Sequence, residues 1–246
     1  MPCLLLRGSK LVKTVKFKNP DYIGDPVNAV MIYNEKEVDE LIFLAITATV
    51  ENQKPPFKII QEIATECFMP FTYGGGINNT EDMRKIFSLG VEKIAINSFA
   101  VENPEILTRA AKMFGSQSVV SSIDVRKTGS GSYEVFTHSG SKKTGLDPVK
   151  WSKTVETLGA GEILLTSIDR DGTMEGYDTD MIRSVTETVS IPVIANGGAG
   201  GIGDFGKAVK AGASAVAAGS LFVYHGRAKG VLINFPSQEA LRAVLG

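Results

Sequence analysis

The chain is poor in the residues that build metal and disulfide chemistry. Among 246 residues there are two cysteines, Cys3 and Cys67, and two histidines, His138 and His225. Both cysteines lie in apolar stretches, which points to buried free thiols rather than a disulfide. The histidines are far apart in sequence, so a histidine metal site is not expected, and nothing calls for a cofactor. Charge of neither sign dominates: the net charge is −1, which gives no reason to expect nucleic acid or an anionic membrane as partner. No apolar run is long enough to span a bilayer, and the N-terminus lacks the basic-then-apolar plan of a signal peptide, so the expected location is the cytoplasm. No linker or low-complexity tract divides the chain, and one domain over residues 1–246 is expected.

What is present is repetition. The apolar run Ile191-Pro192-Val193-Ile194-Ala195-Asn196 stops at Gly197-Gly198-Ala199-Gly200-Gly201, and a helical pattern follows from Asp204. This reads as a buried strand, a tight turn and a helix start, where backbone N–H groups can approach an anion closely. Met69-Pro70-Phe71-Thr72-Tyr73-Gly74-Gly75-Gly76-Ile77 has the same plan, 122 positions earlier. The same offset relates Glu40-Leu-Ile-Phe-Leu to Glu162-Ile-Leu-Leu-Thr, and Lys93–Ser98 to Ala215–Ser220. Four segments in constant register make two halves of four β/α units each. The expected fold is therefore an α/β (β/α)8 TIM barrel with an internal two-fold half-barrel repeat. Its active site would lie at the C-terminal ends of the strands.

Along the chain the pattern gives strands at Pro2–Leu6, Glu40–Ile46, a run ending in Gly74–Gly76, Val91–Ile96, Ser118–Ile123, Glu162–Ser167 and Ser214–Ala218, besides the run at 191–196. Helices are expected near Asn28–Glu37, Phe57–Glu66, from Asn79 or Thr80, from Asn103-Pro104, and over Pro148–Leu158, Thr179–Val189 and Asp204–Ala211, with a last one from Gly219-Ser220. Residues 7–27 alternate from Leu11 to Lys18 and suggest a hairpin or flap carrying Lys10, Lys13, Lys16 and Lys18. The lysines fit either a solvated edge or a basic cover over a phosphate site. Residues 125–145 read as an inserted hairpin turning at Thr128–Ser132.

Several residues then fall at the C-terminal end of the strands. Gly74–Gly76 with Asn97-Ser98 would make one phosphate site; Gly172, Gly197-Gly198 and Gly219-Ser220 would make its twin. Two such sites imply a substrate phosphorylated at both ends. Asp124 closes its strand at the centre of that face, where desolvation suits a carboxylate to acid/base work. Asp169 and Asp171 flank Arg170, which suggests that at least one of them is paired.

The segments PCL, GDPV, YNEKEVDEL, YGGGI, INSFAVENPE, FGSQ, SIDVRK, THSG, KTGLDPV, LGAGEILLTSIDRDGTMEGYD, IPVIANGGAG and AAGSLF run in order over nearly the whole chain. In them the chain resembles the cyclase subunit of imidazole glycerol phosphate synthase, a (β/α)8 barrel that takes ammonia from a glutaminase partner. The resemblance implies a catalytic Asp124, substrate or phosphate contacts from Lys13, Gly76, Asn97, Ser98, Asp171, Gly172, Gly198, Gly219 and Ser220, and an ammonia entrance at Glu40, Lys93 and Glu162. Two positions depart from the family pattern: Leu5 stands where its PCLD motif has an aspartate, and Ala45 where its LDIT motif has another. Leucine transfers no proton. PCLLL, LVKTVKF and Val231–Ala240 resemble a paralogous branch that accompanies sugar amidation in surface-polysaccharide assembly. The expectation is an ammonia-conducting synthase subunit of a glutamine amidotransferase pair. It would work with a glutaminase, a sugar amidotransferase and a phosphorylated small-molecule ligand. Histidine-pathway cyclase activity and a non-catalytic docking scaffold are the alternatives.

Overall fold

The computed structural model describes the chain apart from Ser130, Arg227, Ala228 and Gly246. The strands are β1 (Cys3–Arg7), β2 (Lys10–Val15), β3 (Lys18–Gly24), β4 (Leu41–Ala45), β5 (Phe71–Gly74), β6 (Lys93–Ile96), β7 (Val119–Lys127), β8 (Tyr133–Thr137), β9 (Lys142–Lys143), β10 (Glu162–Ser167), β11 (Val193–Asn196), β12 (Ala215–Ala217), β13 (Tyr224–His225) and β14 (Gly230–Val231). The helices are α1 (Pro26–Glu35), α2 (Phe57–Glu66), α3 (Thr80–Ser88), α4 (Ser98–Glu102), α5 (Glu105–Phe114), α6 (Pro148–Thr157), α7 (Thr179–Thr186), α8 (Ile202–Lys210), α9 (Ser220–Val223) and α10 (Gln238–Leu245).

Eight strands run parallel in the order β1, β4, β5, β6, β7, β10, β11, β12. The sheet closes where Pro2 bridges Ala218, with Cys3 N–H donating to Ala218 O at 2.9 Å and Ala218 N–H to Met1 O at 3.0 Å. This is the expected (β/α)8 barrel. Strands covered on both faces read as near-continuous apolar runs. Their outward side chains, such as Phe43, Tyr73 and Leu165, join the helices in the large outer core. The inward ones form a separate lumen cluster of Cys3, Ile42, Ala95, Val120, Leu164, Ile194 and Ala217.

The half-barrel repeat extends to the helices. Helix α1 begins at Pro26 and α6 at Pro148, α3 at Thr80 and α8 at Ile202, β5 at Phe71 and β11 at Val193, each pair 122 positions apart. Both Asp25 and Asp147 cap their helix before a proline at its first turn: Asp25 Oδ1 accepts from Val27 and Asn28 N–H, Asp147 Oδ1 from Lys150 N–H. These caps start the first helix at Pro26, two residues before the expected Asn28. Asn79 caps α3, accepting from Asp82 N–H at 2.8 Å.

Other boundaries differ from the sequence reading. The helix expected from Asn103-Pro104 begins at Glu105 and is preceded by the unforeseen short α4. Helix α8 starts at Ile202, before Asp204, and the stretch from Ser220 is a single turn followed by the β13–β14 hairpin and α10. Cys67 follows α2 and is half-buried rather than in a strand, and its thiol donates to Met69 O at 3.2 Å; both cysteines are free thiols. The centre of the Thr128–Ser132 turn, Ser130, lies outside the described residues; β7 and β8 pair antiparallel on either side of it. The 7–27 segment is a hairpin: β2 pairs with both β1 and β3 and extends the sheet over the barrel mouth. Among the described residues no helix is long and apolar enough to cross a membrane.

Candidate active site

Period-2 alternation along each inward-facing strand builds the lumen in layers. At the N-terminal mouth lie Glu40, just before β4, Lys93 at the start of β6 and Glu162 at the start of β10. Lys93 Nζ donates to Glu162 at 2.8 and 3.1 Å and to Glu40 at 3.2 Å; Thr72 Oγ1 donates to Glu40 at 3.2 Å. Burial opposes the charge on Lys93, but hydrogen bonding and attraction from Glu162 and Glu40 outweigh it and raise the lysine's pKa. Thr72 was not singled out in the sequence, although it faces Lys93 in register across β5 and β6.

Above this ring the lumen is apolar, and above that, at the C-terminal strand ends, opens a cavity of about 120 Å³. One wall is polar. Asp124 ends the inward face of β7, and its carboxylate accepts from Asn97 Nδ2 at 2.7 Å and from the Thr166 hydroxyl. Thr166 in turn accepts from Asn196 Nδ2 at 3.2 Å. Across the barrel, on β1 and β4, the lining is Leu5, Leu44 and Ala45, and Ile77 and Phe99 add further apolar surface. Leu5 and Ala45, the two departures from the resembled pattern, thus both line the cavity that Asp124 enters.

Asp124 has its pKa raised to about 7, mainly by burial and then by the nearby Asp171, while the Asn97 and Thr166 hydrogen bonds pull it back. Asp124 is half-buried and lines the cavity. The folded value stands above the unfolded one, near 3.8, so the folded state binds the extra proton between the two. That contribution is complete below about pH 4 and is lost as the pH rises toward 7. Asp124→Asn is therefore expected to gain about 1–3 kcal/mol over the natural chain at pH 8, and much less at pH 4. Urea unfolding at the two pH values reads this; equal differences at both would mean that Asp124 is not strained by its charge.

The hairpin is locked onto the same cavity. Lys13 Nζ, 4% exposed, lies 2.8 Å from Asp171 Oδ1 and 2.8 Å from Thr14 O. Thr14 Oγ1 donates to Asp171 Oδ2 at 2.9 Å, Phe17 N–H reaches the same oxygen at 3.4 Å, and Lys16 N–H donates to Asp171 O at 2.9 Å. Both aspartates beside Arg170 are paired, where at least one was expected to be, but neither with Arg170. Arg170 reaches Glu175 O, while Asp169 faces Arg126 at 3.6 Å and accepts from Lys127 N–H at 2.9 Å. Adjacent loop residues point in different directions, and tertiary contacts decide.

The two expected phosphate sites come out unequal. Gly76, Asn97, Ser98, Asp124, Lys13, Asp171 and Gly219 line one cavity; Gly172, Gly198 and Ser220 do not. The second site is covered by the hairpin. A Cβ at Gly172 would fall 2.4 Å from Thr14 O, and one at Gly219 would fall 3.0 Å from the Lys13 stem. The Ser220 hydroxyl is buried without a partner. Around the first site, Gly76 N–H points to Thr49 Oγ1 at 3.4 Å, Ser98 Oγ accepts from His138 N–H at 3.0 Å, and Ser139 donates to Ile46 O. Thr166, Asn196, Thr14, Thr49 and Ser139 were missed in the sequence. The inward period from Glu162 through Leu164 marks Thr166; Ser139 reaches the site only through the inserted hairpin.

The histidine biosynthesis protein family matches residues 1–229. The chain belongs to this family. A Pseudomonas aeruginosa relative provisionally named imidazole glycerol phosphate synthase subunit hisF2 is 51% identical over 242 residues, covering 98% of this chain and 96% of its own length. A Leptospira interrogans relative, provisionally named subunit HisF of the same synthase, is 49% identical over 246 residues, 99% of this chain and 97% of the relative. Subunit HisF from Alkaliphilus metalliredigens is 46% identical over 226 residues, 92% and 90% of the two chains. The family resemblance drawn from the motifs is thereby shown.

Proposed function

We propose that this barrel is the ammonia-conducting synthase subunit of a glutamine amidotransferase pair. A glutaminase docks over the Lys93 ring, and the ammonia serves a separate enzyme that turns an acetamido sugar into an acetamidino sugar. The observation that carries the reading is the sequence of environments along the barrel axis. A charged ring at one mouth leads to an apolar lumen and then to a cavity where Asp124 faces Leu5 and Ala45, while Asp171 is tied to Lys13. An apolar lumen favours neutral ammonia over ammonium, because burying an unpaired ion is far more costly. A phosphorylated ligand would bind at Gly76 and Ser98 with the hairpin closed, and at Gly172, Gly198 and Ser220 once Lys13 moves.

Lys93→Met tests the conduit. With the purified glutaminase and glutamine, the variant is expected to change ammonia delivery by about tenfold or more while the barrel stays folded. The reason is that two carboxylates lose the one ammonium between them. Unchanged glutamine-dependent activity would remove the ring from the ammonia path. The second reading, cyclase activity in histidine biosynthesis, is favoured by the names of the relatives and by Asp124. A docking scaffold is the third.

A further inference from the structure

We propose that Asp124 is a holding station for ammonia. Its carboxylic acid gives a proton to NH3 arriving through the lumen, retains the resulting ammonium as an ion pair in the cavity, and takes the proton back as NH3 leaves. One O–H bond is exchanged for one N–H bond and the exchange is then reversed, so no other reactant is needed. The part this plays in the living protein rests on the conduit reading above; the binding of ammonium does not.

The path places Asp124 alone. From the Lys93 ring up to the floor of the cavity, which Cys3 and Ala95 line, the lumen cluster is Cys3, Ile42, Ala95, Val120, Leu164, Ile194 and Ala217. Cys3 is the titratable one, and burial pushes its thiol up to about 12, so it neither gives nor takes a proton near neutrality. A nitrogen that sheds its charge at the ring meets no competent acid until Asp124.

The cavity then offers the negative partner and lacks a positive one. Its titratable lining, among the described residues, is Cys3 from β1, Lys13 from β2, Asp124 from β7 and Asp171 from the segment after β10. Lys13 is committed to Asp171 at 2.8 Å and to Thr14 O. Asp124 therefore faces a second carboxylate and no cation within a salt bridge's reach, while Asn97 and Thr166 only donate hydrogen bonds to it. A small cation that brings its own N–H donors relieves both the burial and the repulsion. About 120 Å³ holds a water-sized ion with room to spare. Leu5 and Ala45 across the cavity add no competing charge, so the ion's choice of partner is unambiguous. Asp124, with a pKa near 7, is matched to both the gain and the return of a proton near neutral pH.

The test uses the barrel alone, labelled with 13C, and follows the carboxyl resonance that disappears in Asp124→Asn. Its titration midpoint is measured in ammonium chloride and in tetramethylammonium chloride at equal ionic strength, with potassium chloride as a third arm. Ammonium is expected to lower the midpoint by about one unit, equivalent to a tenfold preference for the ionised form; the other two cations leave it in place. Equal midpoints in all three salts overturn the station, and so does an equal fall in potassium, which would mark a general cation site. A fall confined to ammonium supports it, even if the glutaminase assay removes Lys93 from the ammonia path, since the two measurements share no partner.

Discussion

Asp171→Ala is expected to destabilise the barrel by about 3–5 kcal/mol, because it leaves the Lys13 ammonium buried without a counter-charge. The pair is 2.8 Å apart and Lys13 is 4% exposed, so water does not replace the lost carboxylate. The Thr14 hydroxyl and the Phe17 N–H lose their acceptor in the same step. Two readouts separate this from general loosening. Urea unfolding gives the magnitude, and hydrogen exchange should show lost protection in β2 and β3 before the rest of the barrel, as that hairpin meets the site segment mainly through Asp171. Lys13→Met combined with Asp171→Leu should recover most of the loss, since an apolar pair removes both desolvation costs. A loss under about 1 kcal/mol from Asp171→Ala would mean that the hairpin is held by its strand pairing with β1 alone. The same substitution takes away the charge that raises the pKa of Asp124, so the carboxyl midpoint should fall with it.

The framework was legible because it is written twice. A register of 122 residues found in four sequence segments extends in the structure to α1 and α6, whose aspartate caps precede prolines at the same offset. The Lys93 ring was legible too, from three charged residues at the starts of strands that are otherwise apolar. The hairpin was half legible. Alternation from Leu11 to Lys18 gave the strands, but it left Lys13 open between a solvated edge and a cover over the site. In fact Leu11, Val12, Lys13 and Thr14 are all buried, because β2 is covered by the barrel mouth on the side that alternation assigns to water. Helix α4 escaped notice since five residues carry no helical period, and the helix expected from Gly219-Ser220 is the four-residue α9. That at least one of Asp169 and Asp171 is paired was legible, but the partner of Asp171 was not, because Lys13 lies 158 positions away. The closure of the second phosphate site by Lys13 follows from that contact and could not be read without it.

Cyclase turnover with ammonia and the doubly phosphorylated ribulosyl substrate of the resembled cyclase subunit is expected to be about 10²–10⁴-fold below that of an ordinary enzyme working near 10 s⁻¹. Ring closure with ammonia moves protons on both sides of the substrate, and two carboxylates held at different pKa values can divide that work. The second half-barrel supplies Asp124, half-buried, hydrogen-bonded and with its pKa raised to about 7. The first half supplies Leu5 and Ala45, and among the described residues its other side chains that line the cavity include no carboxylate: the polar ones are Lys13, Thr14, Thr49, Asn97 and Ser98. Asp171 does not substitute, as its oxygens are taken by Lys13, Thr14 and Phe17. Leu5→Asp restores the missing acid but places it in an apolar wall, where burial raises its pKa and Asp124 raises it further. It should therefore return only a trace of activity, and Ala45→Asp added to it should increase that trace by improving the polarity of the wall. The measurement is loss of substrate at saturating ammonium, with Asp124→Asn as control. Turnover by the natural chain within about tenfold of 10 s⁻¹, abolished in Asp124→Asn, would show that one carboxylate suffices and would return the barrel to histidine biosynthesis. Absence of turnover, combined with glutamine-dependent ammonia release through the Lys93 ring, would leave delivery to another enzyme as the chemistry this cavity performs.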